Sequence, residues 1–322
     1  MKKLSFGLIS AALTCAALPV QAETVWVTLE RDNALAKVDP VAGKLLATVP
    51  IGQRPRGIAK SPDNKRLYIA VSDDDTIRIF DPESQTVVGE LPSGEDPETF
   101  AVSADGSRMY VSNEDDSQVT VIDVPGQKIV KTIAVGVEPE GIAVSPDHRW
   151  LASASETTNM VHWIATDKLE IVANTLVDPR PRAMTFTADS QQLWVTSEMG
   201  GSLTIFNTED QQPVKTLVFK IPGVTEDTIQ PVGVVVDPER RFAYVALGPA
   251  NHVAVIDAQT LTIKDYLLVG QRVWNLAFSP DFQKLYTTNG LSSDMSIIDV
   301  SSHKVTRSLV VGNYPWGVVS LP

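Results

Sequence analysis

One cysteine occurs in the 322 residues, Cys15, and it lies in an apolar run near the amino terminus. Past that run there is no thiol, so no disulfide, no thiolate nucleophile and no covalent haem attachment is expected. Histidine is almost as scarce. The four present, His148, His162, His252 and His303, fall at unlike positions of the repeat set out below. A metal cage or a catalytic dyad needs two such residues to converge, and neither is expected. Positive charge is also short, with 27 Lys and Arg against 39 Asp and Glu for a net charge of −12. A chain this acidic is a poor partner for phosphate backbones, so nucleic-acid binding is not expected.

The only leader-like stretch is at the start. Lys2 and Lys3 precede an apolar run from Phe6 to Val20, closed by Val20-Gln21-Ala22. This has the form of a cleavable secretory signal over residues 1–22. The mature chain is then expected to begin at Glu23, to be periplasmic and to carry no membrane span. Cys15 follows Thr14, with Ala12 three before it, which is a poor lipidation site.

What is abundant is a repeat. Pro55 to Gly94 contains four β-rich runs: Gly57 to Lys60, Leu67 to Val71, Thr76 to Phe80 and Thr86 to Leu91. Each ends in turn chemistry such as Ser61-Pro62-Asp63 or Ser93-Gly94. No helical period competes with them. The position of Gly57 recurs as Thr99, Gly141, Ala183, Gly233, Asn275 and Gly317. The second-run position of Tyr68 recurs as Trp26, Tyr110, Ala152, Trp194, Tyr244 and Tyr286. The third-run position of Asp81 recurs as Asp39, Asp123, Ala165, Asn207, Asp257 and Asp299. All three markers count seven, with a step of 42 broken once by eight extra residues within 220–230.

Four strands per period of about 40–45 residues signify a β-propeller. The fold expected is all-β: one domain, 23–322, of seven four-stranded antiparallel blades. Residues 24–50 lack a first strand and residues 315–322 supply one, so strand 316–320 should pair with strand 24–28 in a composite blade. Such closure removes open sheet edges.

In a propeller, the loops leading into the first strands ring the axial channel. Here they carry Arg54 and Arg56, Asp96 and Glu98, Glu138 and Glu140, Arg180 and Arg182, Gln230 and Val232, Arg272 and Trp274, and Tyr314 and Trp316. Arginine forks recognise carboxylates, and tryptophan and tyrosine offer flat apolar contact. The mouth residues Arg54, Arg56, Glu98, Glu140, Arg182, Arg272, Trp274, Tyr314 and Trp316 are therefore the candidate ligand or partner site. The alternative is structural: Arg54/Arg56 pairing with Asp96/Glu98, and Glu138/Glu140 with Arg180/Arg182, would seal the mouth. The acidic loops Asp73-Asp74-Asp75 and Glu114-Asp115-Asp116 lack the spaced layout of a calcium loop, and no metal or cofactor is expected.

The Tyr110-Val111-Ser112-Asn113 strand and the repeated Ser-Pro-Asp turns resemble the YVTN family of β-propellers; no Gly-His or Trp-Asp pair marks a WD40 protein. The stretches Ala246-Leu247-Gly248-Pro249-Ala250-Asn251, Asp265 to Trp274, Leu285 to Gly290 and Pro315 to Val319 are similar to exported propellers associated with PQQ-dependent alcohol catabolism. That resemblance implies a periplasmic accessory protein beside quinoprotein dehydrogenases, bringing no catalytic residues and no PQQ site of its own. Two functions stay open. One is a non-catalytic binding or scaffold protein using the mouth for a small organic ligand or a periplasmic partner. The other is a lactonase-like hydrolase or lyase, with His252 and Glu138/Glu140 as its acid/base candidates.

Overall fold

A computed structural model describes residues 23–322; the expected signal segment lies outside the described residues. The strands form seven antiparallel sheets of four. Blades 2 to 7 begin at Pro55, Pro97, Pro139, Pro181, Val234 and Val273. Blade 1 is composite: strand Pro315–Leu321 lies beside Thr24–Leu29, followed by Ala34–Asp39 and Lys44–Pro50. Its register sets Thr24 opposite Leu321, Trp26 opposite Val319 and Val27 opposite Val318. The expected closure is therefore present. Outside blade 6 the innermost strands start earlier than the sequence pattern indicates, at Pro55 rather than Gly57 in blade 2, because Pro55 already pairs with Val71 across a bulge. Among the described residues no helix is long and apolar enough to cross a membrane.

The three markers have physical causes. The second-strand aromatics are packed between blades: Trp26, Trp194, Tyr244 and Tyr286 are fully buried, and Tyr68 and Tyr110 nearly so. Blade 4 has Ala152 at that position, and the cross-strand residue Trp163 fills the space, itself fully buried. The third-strand aspartates bind their own turns; Asp39 Oδ1 accepts the N–H groups of Val41 and Ala42, and Asp257 does the same for Gln259 and Thr260. The glycine marker permits close approach around the axis. A Cβ on Gly141 would sit 2.6 Å from the Arg182 carbonyl oxygen, and one on Gly317 equally near that of Arg56.

The insertion between blades 5 and 6 is anchored rather than free. Ile221 and Ile229 are buried in the core cluster shared by those blades, with a short 3-10 turn, Glu226–Thr228, between them. The innermost strand that follows is shortened to Val234–Val236. His162 is structural too. Its Nε2 accepts the Gly136 N–H, so the proton resides on Nδ1, which donates to Asn174. Burial lowers its pKa and keeps the ring neutral.

Candidate functional site

The backbone of the mouth is built the same way in most blades. The residue before each innermost strand is left-handed: Arg54, Asp96, Glu138, Arg180, Arg272 and Tyr314 all have φ between 45° and 61°. Non-glycine residues adopt this region only when held there. The preceding blade supplies the hold through its second-to-third-strand loop. Asn33 accepts the Arg54 N–H at 3.0 Å, Asp75 that of Asp96 at 2.9 Å, Asn159 that of Arg180 at 2.9 Å and Asn251 that of Arg272 at 2.8 Å. The acidic loops work alongside: Asp74 accepts the Gln53 N–H and Asp116 that of Glu95. Asp75 latches blade 2 to the lead-in of blade 3, while Asp74 and Asp116 pin the lead-ins of their own blades.

The carbonyls of the same left-handed residues bind a second ring. The Glu30, Glu114, Glu156 and Glu198 N–H groups donate to Tyr314, Asp96, Glu138 and Arg180 respectively, at 2.7–3.1 Å. These four glutamates share one register, four residues after the second-strand aromatic marker, where the other blades have Ser72, Gly248 and Gly290. Sequence reasoning missed them, although the marker pointed at them.

The two rings interlock through side chains. Arg54 contacts Asp73 at 2.8 Å, Glu98 at 3.2 Å and also Asp96; Arg56 contacts Glu98 at 2.7 Å and Glu30 at 3.6 Å. Arg182 reaches Glu140 at 2.6 Å, Glu156 at 2.5 Å and Glu198 at 3.6 Å, all buried. Arg180 bridges Glu156 and Glu198, and Arg272 binds Glu198 at 2.9 Å and Gln230 at 3.0 Å. Of the cross-blade pairs expected from sequence, Arg54/Arg56 with Asp96/Glu98 and Arg182 with Glu140 form. Glu138 bonds Thr157 instead, because Glu156 and Glu198 capture Arg180. Every mouth guanidinium from Arg54 to Arg272 is thus committed to a carboxylate of the chain, which leaves none of these forks free for an organic acid.

Burial and neighbouring charge shift these carboxylates in different directions. Burial pushes Glu98 up to about 7, with Asp96 and Glu114 adding to the rise and Arg56 and Arg54 opposing it. Burial also raises Glu140 well above the carboxylate range, and its hydrogen bond with Glu156 adds to the effect. Glu156 is buried too, but the hydrogen bond from Glu140 and the Arg182 and Arg180 charges outweigh burial and lower its pKa. Within the Glu140–Glu156 pair beside Arg182, burial and the shared hydrogen bond thus favour the proton on Glu140. Oxygens of Asp96, Glu98 and Glu114 lie within 4.8 Å of one another, where Arg54 and Arg56 already supply positive charge.

The aromatic side differs from expectation. Trp316 and Trp274 are only 5% and 9% exposed and belong to the core cluster between blades 6 and 7, so they are not surface contacts. Arg272 lies 3.9 Å from the Trp274 ring centroid, Arg56 5.3 Å from Trp316, and Arg31 4.3 Å from Tyr314. The glycines of the second ring make this possible. A Cβ on Gly290 would fall 2.6 Å from Trp274 Nε1, and one on Gly248 2.6 Å from an Arg272 nitrogen.

Beneath the ionic mouth lies an axial cavity of about 160 Å³. Glu140, Arg182, Trp274 and Trp316 form its upper wall, Thr99 and Asn275 its sides, and Ile142, Met184, Val234 and Leu276 its floor. Of the sequence candidates, Glu140, Arg182, Trp274 and Trp316 meet at this cavity. Arg54, Arg56, Glu98, Arg272 and Tyr314 are not in its lining. His252 does not reach it either; its Nδ1 bonds the Ala250 carbonyl of its own loop at 2.6 Å.

Fold and site define a seven-bladed propeller whose axial mouth is closed by ion pairs over a small cavity. The chain belongs to the Cytochrome D1 heme domain family, whose profile matches residues 66–276, and a WD domain, G-beta repeat profile matches residues 44–81. No curated protein matches the sequence. Among solved structures it is similar to hydrazine synthase of Kuenenia stuttgartiensis, at 20% identity and a TM-score of 0.72 over 82% of this chain and 88% of that one. It is similar to a candidate 6-phosphogluconolactonase of Bacteroides fragilis, at 15% identity and a TM-score of 0.78 over 95% and 100%. It is also similar to the dihydro-heme d1 dehydrogenase NirN in complex with DHE, at 17% identity and a TM-score of 0.70 over 95% and 78%. At these identities the likeness is one of fold.

Proposed function

We propose that this propeller is a periplasmic, non-catalytic binding protein that holds a small organic ligand in the axial cavity. The observation that carries the reading is the cavity itself, bounded by two tryptophans and by the Glu140–Arg182 ion pair at its wall. An apolar cavity of about 150 Å³ is known to accept a benzene-sized molecule, so a compact aldehyde, ketone, lactone or quinone is the size class. An organic anion is disfavoured, because the mouth guanidiniums are committed.

A place beside quinoprotein dehydrogenases is supported by the resemblance over residues 231–320, and export by the Lys2-to-Ala22 segment. Intact-mass measurement of the exported protein should give a chain beginning at Glu23.

The family name raises haem d1, and the residues do not fit it. Met184 is the one lining residue of a haem-ligand type, and the cavity of about 160 Å³, below the roughly 300–1,000 Å³ of ordinary ligand sites, has no room for a tetrapyrrole. A lactonase-like hydrolase is the second reading. It is favoured by the Glu140–Glu156 pair, in which burial raises the pKa of Glu140 while the shared hydrogen bond and the neighbouring arginines lower that of Glu156.

Titration of tryptophan fluorescence with small aldehydes, quinones and lactones tests the binding reading. Trp316→Phe, which keeps ring packing, should weaken binding about tenfold while changing the melting temperature little. Alanine is the wrong probe here, since Trp316 carries core packing. Turnover of a lactone that is lost in Glu140→Gln would favour the hydrolase, and saturable binding without turnover favours the binding protein.

A further inference from the structure

The opposite end of the channel has different chemistry. There the innermost strands end in Val102, Val144, Phe186, Val236 and Phe278 in five blades, and in Lys60 and Leu321 in the other two. An open cavity of about 440 Å³ lies at this end, walled mainly by apolar side chains such as Ile58, Phe100, Val144 and Phe186. Ile142 lines both cavities, which therefore adjoin at an apolar side chain. The volume falls in the range of small-molecule sites, which combine apolar walls with one or two polar groups that fix orientation.

Lys60 is the single charged residue of this lining. It is half-buried, its Nζ donates to the Ser320 carbonyl at 3.3 Å, and among the described residues no carboxylate lies within ion-pair distance of it. The acids of the adjoining turns are engaged elsewhere. Asp63, Asp105 and Asp147 each accept a hydroxyl from the serine two residues earlier at 2.6 Å and an N–H from the residue two further on. In a chain with a 12-charge acidic excess, a cation left beside apolar walls lacks a counter-ion. Burial lowers its pKa, and no neighbouring charge contributes.

We infer that this end of the channel is a second binding site, for a small amphipathic monocarboxylate whose apolar body fills the cavity and whose carboxylate pairs with Lys60. Its ligand class differs from that of the upper cavity, where every wall arginine is neutralised.

Calorimetric titration with sodium octanoate at pH 7 tests this, with octan-1-ol and octylammonium as probes of the same length. Octanoate should bind in preference to the alcohol, and octylammonium should not bind. Lys60→Met, which keeps the apolar stem, should weaken octanoate at least tenfold and leave the alcohol unchanged. Acetylation of Lys60 in the unaltered protein, followed by mass spectrometry, gives a readout that does not depend on a variant folding; octanoate should protect Lys60 selectively. Equal octanoate affinity in Lys60→Met, equal binding of octylammonium, absence of octanoate binding at millimolar concentration, or unprotected Lys60 would each overturn the assignment.

Discussion

Arg182→Met is the sharpest test of how the mouth is held together. Arg182 touches three carboxylates, Glu140, Glu156 and Glu198, each with a side chain no more than 5% exposed. Methionine keeps much of the volume and removes the charge. Burial and the Glu156 hydrogen bond favour the proton on Glu140, so the loss falls chiefly on Glu156 and Glu198, with Arg180 and Arg272 as their remaining partners. Removing one member of a buried ionic group leaves uncompensated charge and costs about 3–5 kcal/mol. For a domain of this size, at about 2 °C per kcal/mol, that is a fall of about 6–10 °C in melting temperature. The defect should depend on pH in a defined direction. Stranded carboxylates take up protons as pH falls, so the loss should be full at pH 8 and markedly smaller at pH 5. Glu156→Gln in the Arg182→Met background should recover part of the loss at pH 8. Thermal and urea melts of the four proteins at both pH values form a double-mutant cycle. A loss under about 1 kcal/mol at pH 8, or one that is identical at pH 5, would show that the network is solvated and would refute the reasoning.

Glu98 governs a second pH effect. Its folded pKa of about 7 stands above the ordinary 4.5, so the folded state binds the proton more tightly. The associated stability is present below the ordinary carboxylate range and is lost as pH rises through 7, about 3 kcal/mol in all; Glu98→Gln should flatten the slope of stability between pH 5 and 8. Gly290→Ala places a methyl group against the Trp274 indole, and urea melts should show a loss of about 1–3 kcal/mol with a changed tryptophan emission. Deleting residues 315–322 removes a fully buried strand and reopens the edge of Thr24–Leu29; calorimetry should find no wild-type transition, and a truncated protein melting at the original temperature would contradict ring closure.

The fold was legible because each blade reuses the same local devices. Asp81 marks a turn since its carboxylate accepts the Glu83 and Ser84 amides, and Tyr68 marks a strand since it is packed between sheets. Such rules depend on residues close in sequence, so the period exposed them. The mouth was legible only in part. Arg54, Glu98, Glu140 and Arg182 could be placed on the ring by register. Their partners could not be assigned from one ring alone, since Arg180 chooses Glu156 and Glu198 over Glu138 once the second ring is present. The burial of Trp274 and Trp316 was missed for a related reason. A lead-in residue reads as a loop, yet glycine at 248 and 290 lets Arg272 and Trp274 sink towards the core.

The asymmetry of the rings explains how a repeating scaffold can make one site. Seven equivalent positions would place seven equivalent side chains around the axis and cancel any direction. Here glutamates occupy the second ring in blades 1, 3, 4 and 5, and glycines in blades 6 and 7. Arginines from the first ring turn towards the glutamates, and the tryptophans fill the side that the glycines vacate. Charge and aromatic surface thereby share the upper wall of one cavity, where Glu140 and Arg182 stand with Trp274 and Trp316 and Arg182 lies 5.7 Å from the Trp274 ring centroid. The backbone latches from Asn33, Asp75, Asn159 and Asn251 keep the left-handed lead-in residues in place while the side chains differ. What lines the cavity is then decided by which residue stands at two registers per blade, and glutamate at 248 or 290 would displace the Arg272 and Trp274 side chains that the glycines admit.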